Sequence, residues 1–301
     1  MCMQISQKTK GLKYNRNKKY LIISFLFIPL LFLMYFTVYP IFMMFIYSFT
    51  DWKGSSTPFS FVALKNYITI FTDASYRMVF RNAVYYLITG ILQQIISLAL
   101  AVLLSTKIKG SGIFKGIIFF PFIMNGVAVA LSFRMFYQAN GGFDTFLSCI
   151  GLGNHILPWI SNSKTVNIAL CFIFLWKNVG YSFLIYLGTM QSISKEYYEA
   201  AAIDGAGTWA KFAKITFPNI KMIVGLMATF SVINSITVFD IPYILTSGQN
   251  GTSTFSTKLV ETAFKYNKYG EASAMAIVML VIAAIVMVFK NIVFKEDKDV
   301  Y

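Results

Sequence analysis

Residues 194–218 read SKEYYEAAAIDGAGTWAKFAKITFP and lie between two apolar runs, 166–190 and 220–245. Ser194 ahead of Glu196 is an N-cap signal. Glu196, Tyr197, Ala200, Ala201 and Ile203 fit one short helix, in which Ala200, Ala201 and Ala202 combine the highest helix propensity with almost no bulk. A face of such small residues can lie close against another protein. Gly205 and Gly207 supply the exit. Trp209, Phe212, Ile215 and Phe217 then carry an apolar face into Pro218, where the pattern is expected to stop. By its residues alone the segment suits an amphipathic helix on the lipid headgroups as well as a docking helix.

The flanking runs place it in a membrane protein. Of the 301 residues 57% are hydrophobic and 13% charged, and mean hydropathy is +0.63. Soluble domains carry about 25% charged residues, and disordered chains more; both classes are excluded. A helix crossing the ~30 Å hydrocarbon layer needs about 20 mostly apolar residues. Six segments qualify: 20–49, 79–104, 113–137, 166–190, 220–245 and 272–294. The first contains Pro29 and Pro40 and is too long for a signal-peptide core, so it reads as an uncleaved anchor. Pro121 and Gly126 bracket an expected kink in the third. The expected fold is an all-α membrane protein of six transmembrane helices, with a basic segment 1–19, a first span 20–49 and a five-helix domain 79–294 that contains the loop 194–218.

The cations set the orientation. Lys and Arg number 26 against 12 Asp and Glu, a net charge of +14. Sixteen of the 26 fall before the first span, in the second-to-third and fourth-to-fifth connections, and after the sixth span; Lys8, Lys107, Lys195, Lys211 and Lys295 are examples. The positive-inside rule then puts both termini in the cytoplasm, and the excess charge marks topology rather than a nucleic-acid partner. Segments 51–77, 138–165 and 247–270 become external, either as plain connectors or as a docking surface.

No catalytic or metal constellation is evident. Cys2, Cys149 and Cys171 are far apart, and the single histidine, His155, has no metal-binding companion. A P-loop needs Gly, four residues, then Gly-Lys-Ser/Thr; Gly110-Ser111-Gly112 followed by Lys115-Gly116 is not one.

Glu199-Ala200-Ala201, three residues, Gly205, nine residues, Ile215, one residue and Phe217-Pro218 resemble the EAA signature of binding-protein-dependent ABC importer permeases. Phe217, where that signature has Leu, is the one departure. Trp176-Lys177, Gly180, Phe239-Asp240, Tyr243-Ile244-Leu245-Thr246 and Tyr269-Gly270-Glu271-Ala272-Ser273-Ala274 resemble the carbohydrate branch, and the long basic amino-terminal segment resembles the first of its two permeases.

The resemblance implies a type I importer permease fold and a chain that is a transport subunit rather than an enzyme. It implies that 194–218 is a coupling loop: Glu199 makes the polar contact to a cytoplasmic ATPase, Ala200 and Ala201 allow close approach, and Asp204 and Gly205 fix the turn. The chain then holds no cofactor, ATP and Mg being bound by the partner ATPase dimer. Further implied partners are a second homologous permease, an extracellular solute-binding lipoprotein and a carbohydrate, probed in oligosaccharide form first. Sugar contacts are expected near mid-membrane, from Trp176, Asn178, Tyr181, Asn234 and Ser235: aromatic faces stack on sugar rings, and amides and hydroxyls replace lost water. Bridging between helices explains the same polar residues equally well. Lys177 and Asp240 are expected toward the outer ends of their spans, where charge is cheaper, either paired with each other or lining the external mouth, and Asn125 and Arg134 are read as structural. The alternative function is an ion-coupled secondary carrier of a small polar solute, for which Asp240 is the one well-placed acid. A membrane-embedded enzyme lacks its acid, base or nucleophile cluster.

Overall fold

The computed structural model describes residues 2–54, 58–105 and 110–294, with side chains from residue 18 onward. Lys107, Lys109, Lys295 and Lys298 lie outside those residues, as do the side chains of the basic segment before Lys18.

The chain is helical throughout. Helix α1 (Cys2–Leu33) passes through a π-turn at Met34–Val38 into α2 (Tyr39–Tyr47), and the short α3 (Lys65–Thr72) precedes the long α4 (Ala74–Ser105). Then follow α5 (Ser111–Ile123), α6 (Gly126–Phe136), α7 (Gly142–Cys149), α8 (Val166–Gln191), α9 (Lys195–Ile203) and α10 (Thr208–Lys211). The chain closes with α11 (Phe217–Thr237), α12 (Asp240–Thr246), α13 (Phe255–Val260) and α14 (Tyr269–Val293). Among the described residues five stretches are long and apolar enough to cross a bilayer, and a sixth arises if α5 and α6 count as one broken span.

Two expected spans are not single helices. The third, 113–137, breaks after Ile123, and its halves meet at 95°. Met124 turns extended there, and Asn125 accepts bonds from the Val127 and Ala128 N–H groups at 2.8 and 3.4 Å, capping α6. Asn125 is therefore structural, as read. The fifth, 220–245, breaks at Val238–Phe239 because Pro242 has no N–H to return to the Val238 carbonyl. Thr254 donates to that carbonyl at 2.8 Å and Ser256 to the Thr237 carbonyl at 3.0 Å. Pro218, expected to end the amphipathic pattern, does not: it follows directly on a π-turn, in which the Phe217 N–H reaches back five residues to the Phe212 carbonyl, and that wider turn accommodates the ring. The π-turn Phe212–Thr216 joins α10 to α11, so Thr208–Thr237 runs on as one helical stretch.

Burial divides the bundle into three apolar clusters. Tyr86, Val129, Ala130, Leu170, Ile173 and Ile241 join α4, α6, α8 and α12. Ile70, Tyr76, Val79, Phe255, Ala274 and Met275 join α3, α4, α13 and α14. Ala101, Phe183, Tyr186, Ile220 and Met227 hold α4, α8 and α11 together near α9. At the opposite end Asn82 donates to the Gly251 and Ser253 carbonyls, both at 2.8 Å, and Asn167 to Gly251 at 3.0 Å, which ties the turn 247–254 onto α4 and α8. The stretch Lys18–Tyr47 stands apart, exposed from residue 18 to 42.

Candidate functional site

The loop 194–218 is built as its residues predict. Ser194 accepts from the Glu196 N–H at 3.3 Å and starts α9. At the other end Asp204 is the C-cap, Gly205 N–H bonds the Ala202 carbonyl at 3.2 Å, and Ala206 N–H reaches back to the Ala201 carbonyl at 2.8 Å. That pair of bonds is a Schellman motif, and it needs a left-handed residue after the cap; Gly205 has φ +76°. Glu199, Ala200, Asp204 and Gly205 are exposed and Ala201 is half-buried. On the inner side Tyr198 bonds the buried Thr216 hydroxyl at 3.0 Å, fixing α9 against the start of α11. The result is a short helix, clamped at both ends, whose exposed face combines Glu199 and Asp204 with small alanines and the apolar Tyr197 and Ile203.

The polar residues of the spans form two groups. One locks the bundle. Gln93 donates to the Asn178 carbonyl at 3.0 Å and to the Ser182 hydroxyl at 2.9 Å. Gln94 donates to Ser231 at 2.9 Å and accepts from Tyr186 at 3.0 Å, while Ser97 donates to the Val179 carbonyl at 2.9 Å. These bridges cross from α4 to α8 and α11. The adjacent amides Gln93-Gln94 in the apolar run 79–104 were the sequence signal for them, and it was not read. Of the expected sugar contacts, Ser235 is turned back to the Val232 carbonyl at 2.6 Å and is buried, so its hydroxyl faces its own helix. The Asn178 amide likewise bonds the Phe174 carbonyl of its own helix at 2.7 Å.

The other group is open. Tyr181 stacks on Phe122 at 4.8 Å between centroids, Trp176 meets Phe133 edge-on at 5.3 Å, and both rings stay half-exposed; Asn234 is exposed on α11. Lys177 corrects an expectation: it lies near the middle of the 26-residue α8, whereas Asp240 starts α12 just beyond the break in the fifth span, toward the end expected for it. A Cβ placed on Gly126 would be 2.8 Å from the Asp240 carboxylate and 3.4 Å from the Lys177 ammonium. Both charges thus converge on the N-terminus of α6, where the helix dipole favours a carboxylate. Among the described residues no three His, Cys, Asp or Glu side chains gather to hold a metal.

Residues 95–296 match the family model of the binding-protein-dependent transport system inner membrane component. The chain belongs to that family. A permease of this kind is the membrane subunit of a transporter whose ATPase is a separate protein and whose cargo arrives on a binding protein; it is multi-pass in the inner membrane and is not itself an enzyme. The probable ABC transporter permease protein YurN of Bacillus subtilis is 33% identical over 292 residues, covering 95% of this chain and 99% of its own length. The multiple sugar-binding transport system permease protein MsmF of Streptococcus mutans is 30% identical over 270 residues, covering 89% and 92%. A solved bacterial alginate ABC transporter, in complex with its alginate pentasaccharide-bound periplasmic protein, contains a chain that superposes with a TM-score of 0.82 at 19% identity, over 94% of this chain and 96% of that one. The likeness is one of fold, along nearly the whole chain.

Proposed function

We propose that this permease moves a carbohydrate, oligosaccharides first among them, into the cell, and that α9 couples the movement to ATP hydrolysis. Both termini are cytoplasmic in this reading, α9 is the coupling helix, and the segments 51–77, 138–165 and 247–270 face outward to a solute-binding lipoprotein. A second, homologous permease completes the pathway and a cytoplasmic ATPase dimer supplies the energy.

The observation that carries the reading is the double clamp on α9. A helix fixed by Ser194 and by the Schellman turn, and pinned inward through Tyr198, moves as a body when a partner pushes on its exposed face. Glu199, Ala200, Ala201, Asp204 and Gly205 form that contact. The saccharide class is supported by MsmF, whose system binds multiple sugars, and by the alginate transporter. Trp176 and Tyr181, half-exposed and flanking Lys177 in sequence, are the ring-stacking candidates, and Asn234, exposed on α11, is the amide candidate; Asn178 and Ser235, expected beside them, spend their side-chain bonds on their own helices.

The test is reconstitution of the whole transporter in liposomes with its cognate partners. ATP hydrolysis should rise only when a sugar-loaded binding protein is present, and Glu199→Arg should abolish that rise while the subunits still co-purify. Uptake driven by a proton or sodium gradient without ATP would overturn the reading.

A further inference from the structure

Two cavities adjoin at the α9 end of the bundle. The first, about 450 Å³, is lined by Ser105, Gln191, Lys195, Tyr198, Thr208 and Lys211 among others. The second, about 590 Å³, is apolar and runs along α4 past Ile95, Leu98, Ala99 and Leu103, closed on its other side by Trp209. Val102, Thr208 and Phe212 line both, so they form one continuous feature with a polar, basic head and an apolar tail. No Asp or Glu lines either part, and neither Lys195 nor Lys211 makes an ion pair among the described residues.

We propose that this feature binds one anionic phospholipid, its phosphate between Lys195 and Lys211 and an acyl chain along α4 beneath Trp209. The charge is complementary: two ammonium groups with hydroxyl and amide donors beside them suit a phosphodiester, and basic pockets between helices at a membrane surface are how such headgroups are held. The tail lies where a span leaves the bilayer, and Trp209, 76% exposed, sits at the level where indoles favour the headgroup boundary. The occupant would wedge between α4, α9 and α10, bracing the helix proposed to meet the ATPase. The site rests on the membrane placement of the spans and does not depend on the cargo.

The test uses the transporter assembled with its partners in phosphatidylcholine nanodiscs containing spin-labelled phosphatidylglycerol, with spin-labelled phosphatidylcholine as the comparison. The wild-type complex should hold the anionic lipid in an immobilised population with a preference of roughly ten-fold. The Lys195→Gln/Lys211→Gln double variant should bring that preference close to one, and Leu98→Trp, which fills the groove and leaves both lysines, should reduce the immobilised fraction. Lys53→Gln/Lys65→Gln, at the other end of the molecule, should leave the preference intact. An unchanged preference in the Lys195/Lys211 variant would overturn the proposal, as would equal loss in the Lys53/Lys65 variant. Release of the label by millimolar inorganic phosphate, with no effect of Leu98→Trp, would assign the cavity to a free anion and overturn the lipid reading.

Discussion

At the scale of single residues, the decisive pair is Lys177 and Asp240. They lie within about 6 Å of one another across Gly126, where opposite unit charges attract by about 3 kcal/mol at an effective dielectric of about 20. Asp240 is exposed and Lys177 half-buried, so solvent screens much of that attraction. Lys177→Met or Asp240→Asn alone should therefore destabilise the detergent-solubilised protein by up to about 1 kcal/mol, and the double variant should lose less than the sum of the two. A thermal-unfolding double-mutant cycle measures this; additive losses would show that the two charges act independently. Gly180 makes a second, steric prediction. A Cβ there would be 2.3 Å from the Ile118 carbonyl oxygen, a backbone atom that cannot turn aside. Gly180→Ala should push α5 off α8 and cost roughly 1–3 kcal/mol, seen as a lowered Tm with Gly188→Ala, which meets nothing, as the control.

At the scale of elements, what could be read in the sequence was whatever depends on neighbours in the chain. Ser194, the three alanines and Gly205 act over one or two turns, so α9 and its exit were legible, and long apolar runs announced α4, α8 and α14. The bend in the third span was legible too, since Pro121, Asn125 and Gly126 act locally; the break in the fifth was not, because what holds it is distant. The Val238 carbonyl goes free at Pro242, but the break holds because Thr254, sixteen residues away, donates to it. Lys177 was misplaced for the same reason: the helix end it approaches together with Asp240 belongs to α6. Two predictions follow at this scale. Thr254→Val should unseat α13 and cost roughly 1–3 kcal/mol, read as faster amide exchange across 255–265, whereas Thr254→Ser should restore protection. Gly205→Pro demands a φ near −65° where the turn has +76°, so it should uncouple ATP hydrolysis from uptake while α9 still forms; full coupling in that variant would remove α9 from the mechanism.

At the scale of the whole molecule, the open question is what covers Lys18–Tyr47. The bundle does not, since residues 18–42 are exposed throughout, and the aromatic ladder of Phe32, Phe36, Tyr35 and Tyr39 faces outward with its own stacked and tilted contacts. Lipid alone can solvate such a helix, yet lipid would not fix its angle to the rest, and the contacts that hold it gather at its far end: α2 against α14, Tyr47 stacked on Trp52, Trp52 tilted against Tyr269, and Asn66 donating to the Ser48 and Thr50 carbonyls. The second permease proposed above would supply the missing surface. An aromatic face favours packing on another protein more than acyl chains do, because ring pairs gain about 0.5–1.5 kcal/mol beyond their area. If the transporter is built from two homologous permeases, Phe36→Cys in a background lacking Cys2, Cys149 and Cys171 should form a cross-link to the partner permease with a short bifunctional maleimide. Phe289→Cys, on the exposed side of α14, is the comparison position. A cross-link at Phe36 that persists when the partner permease is omitted would mean that the first span pairs with a second copy of this chain, and labelling at neither position would leave the helix to the lipid.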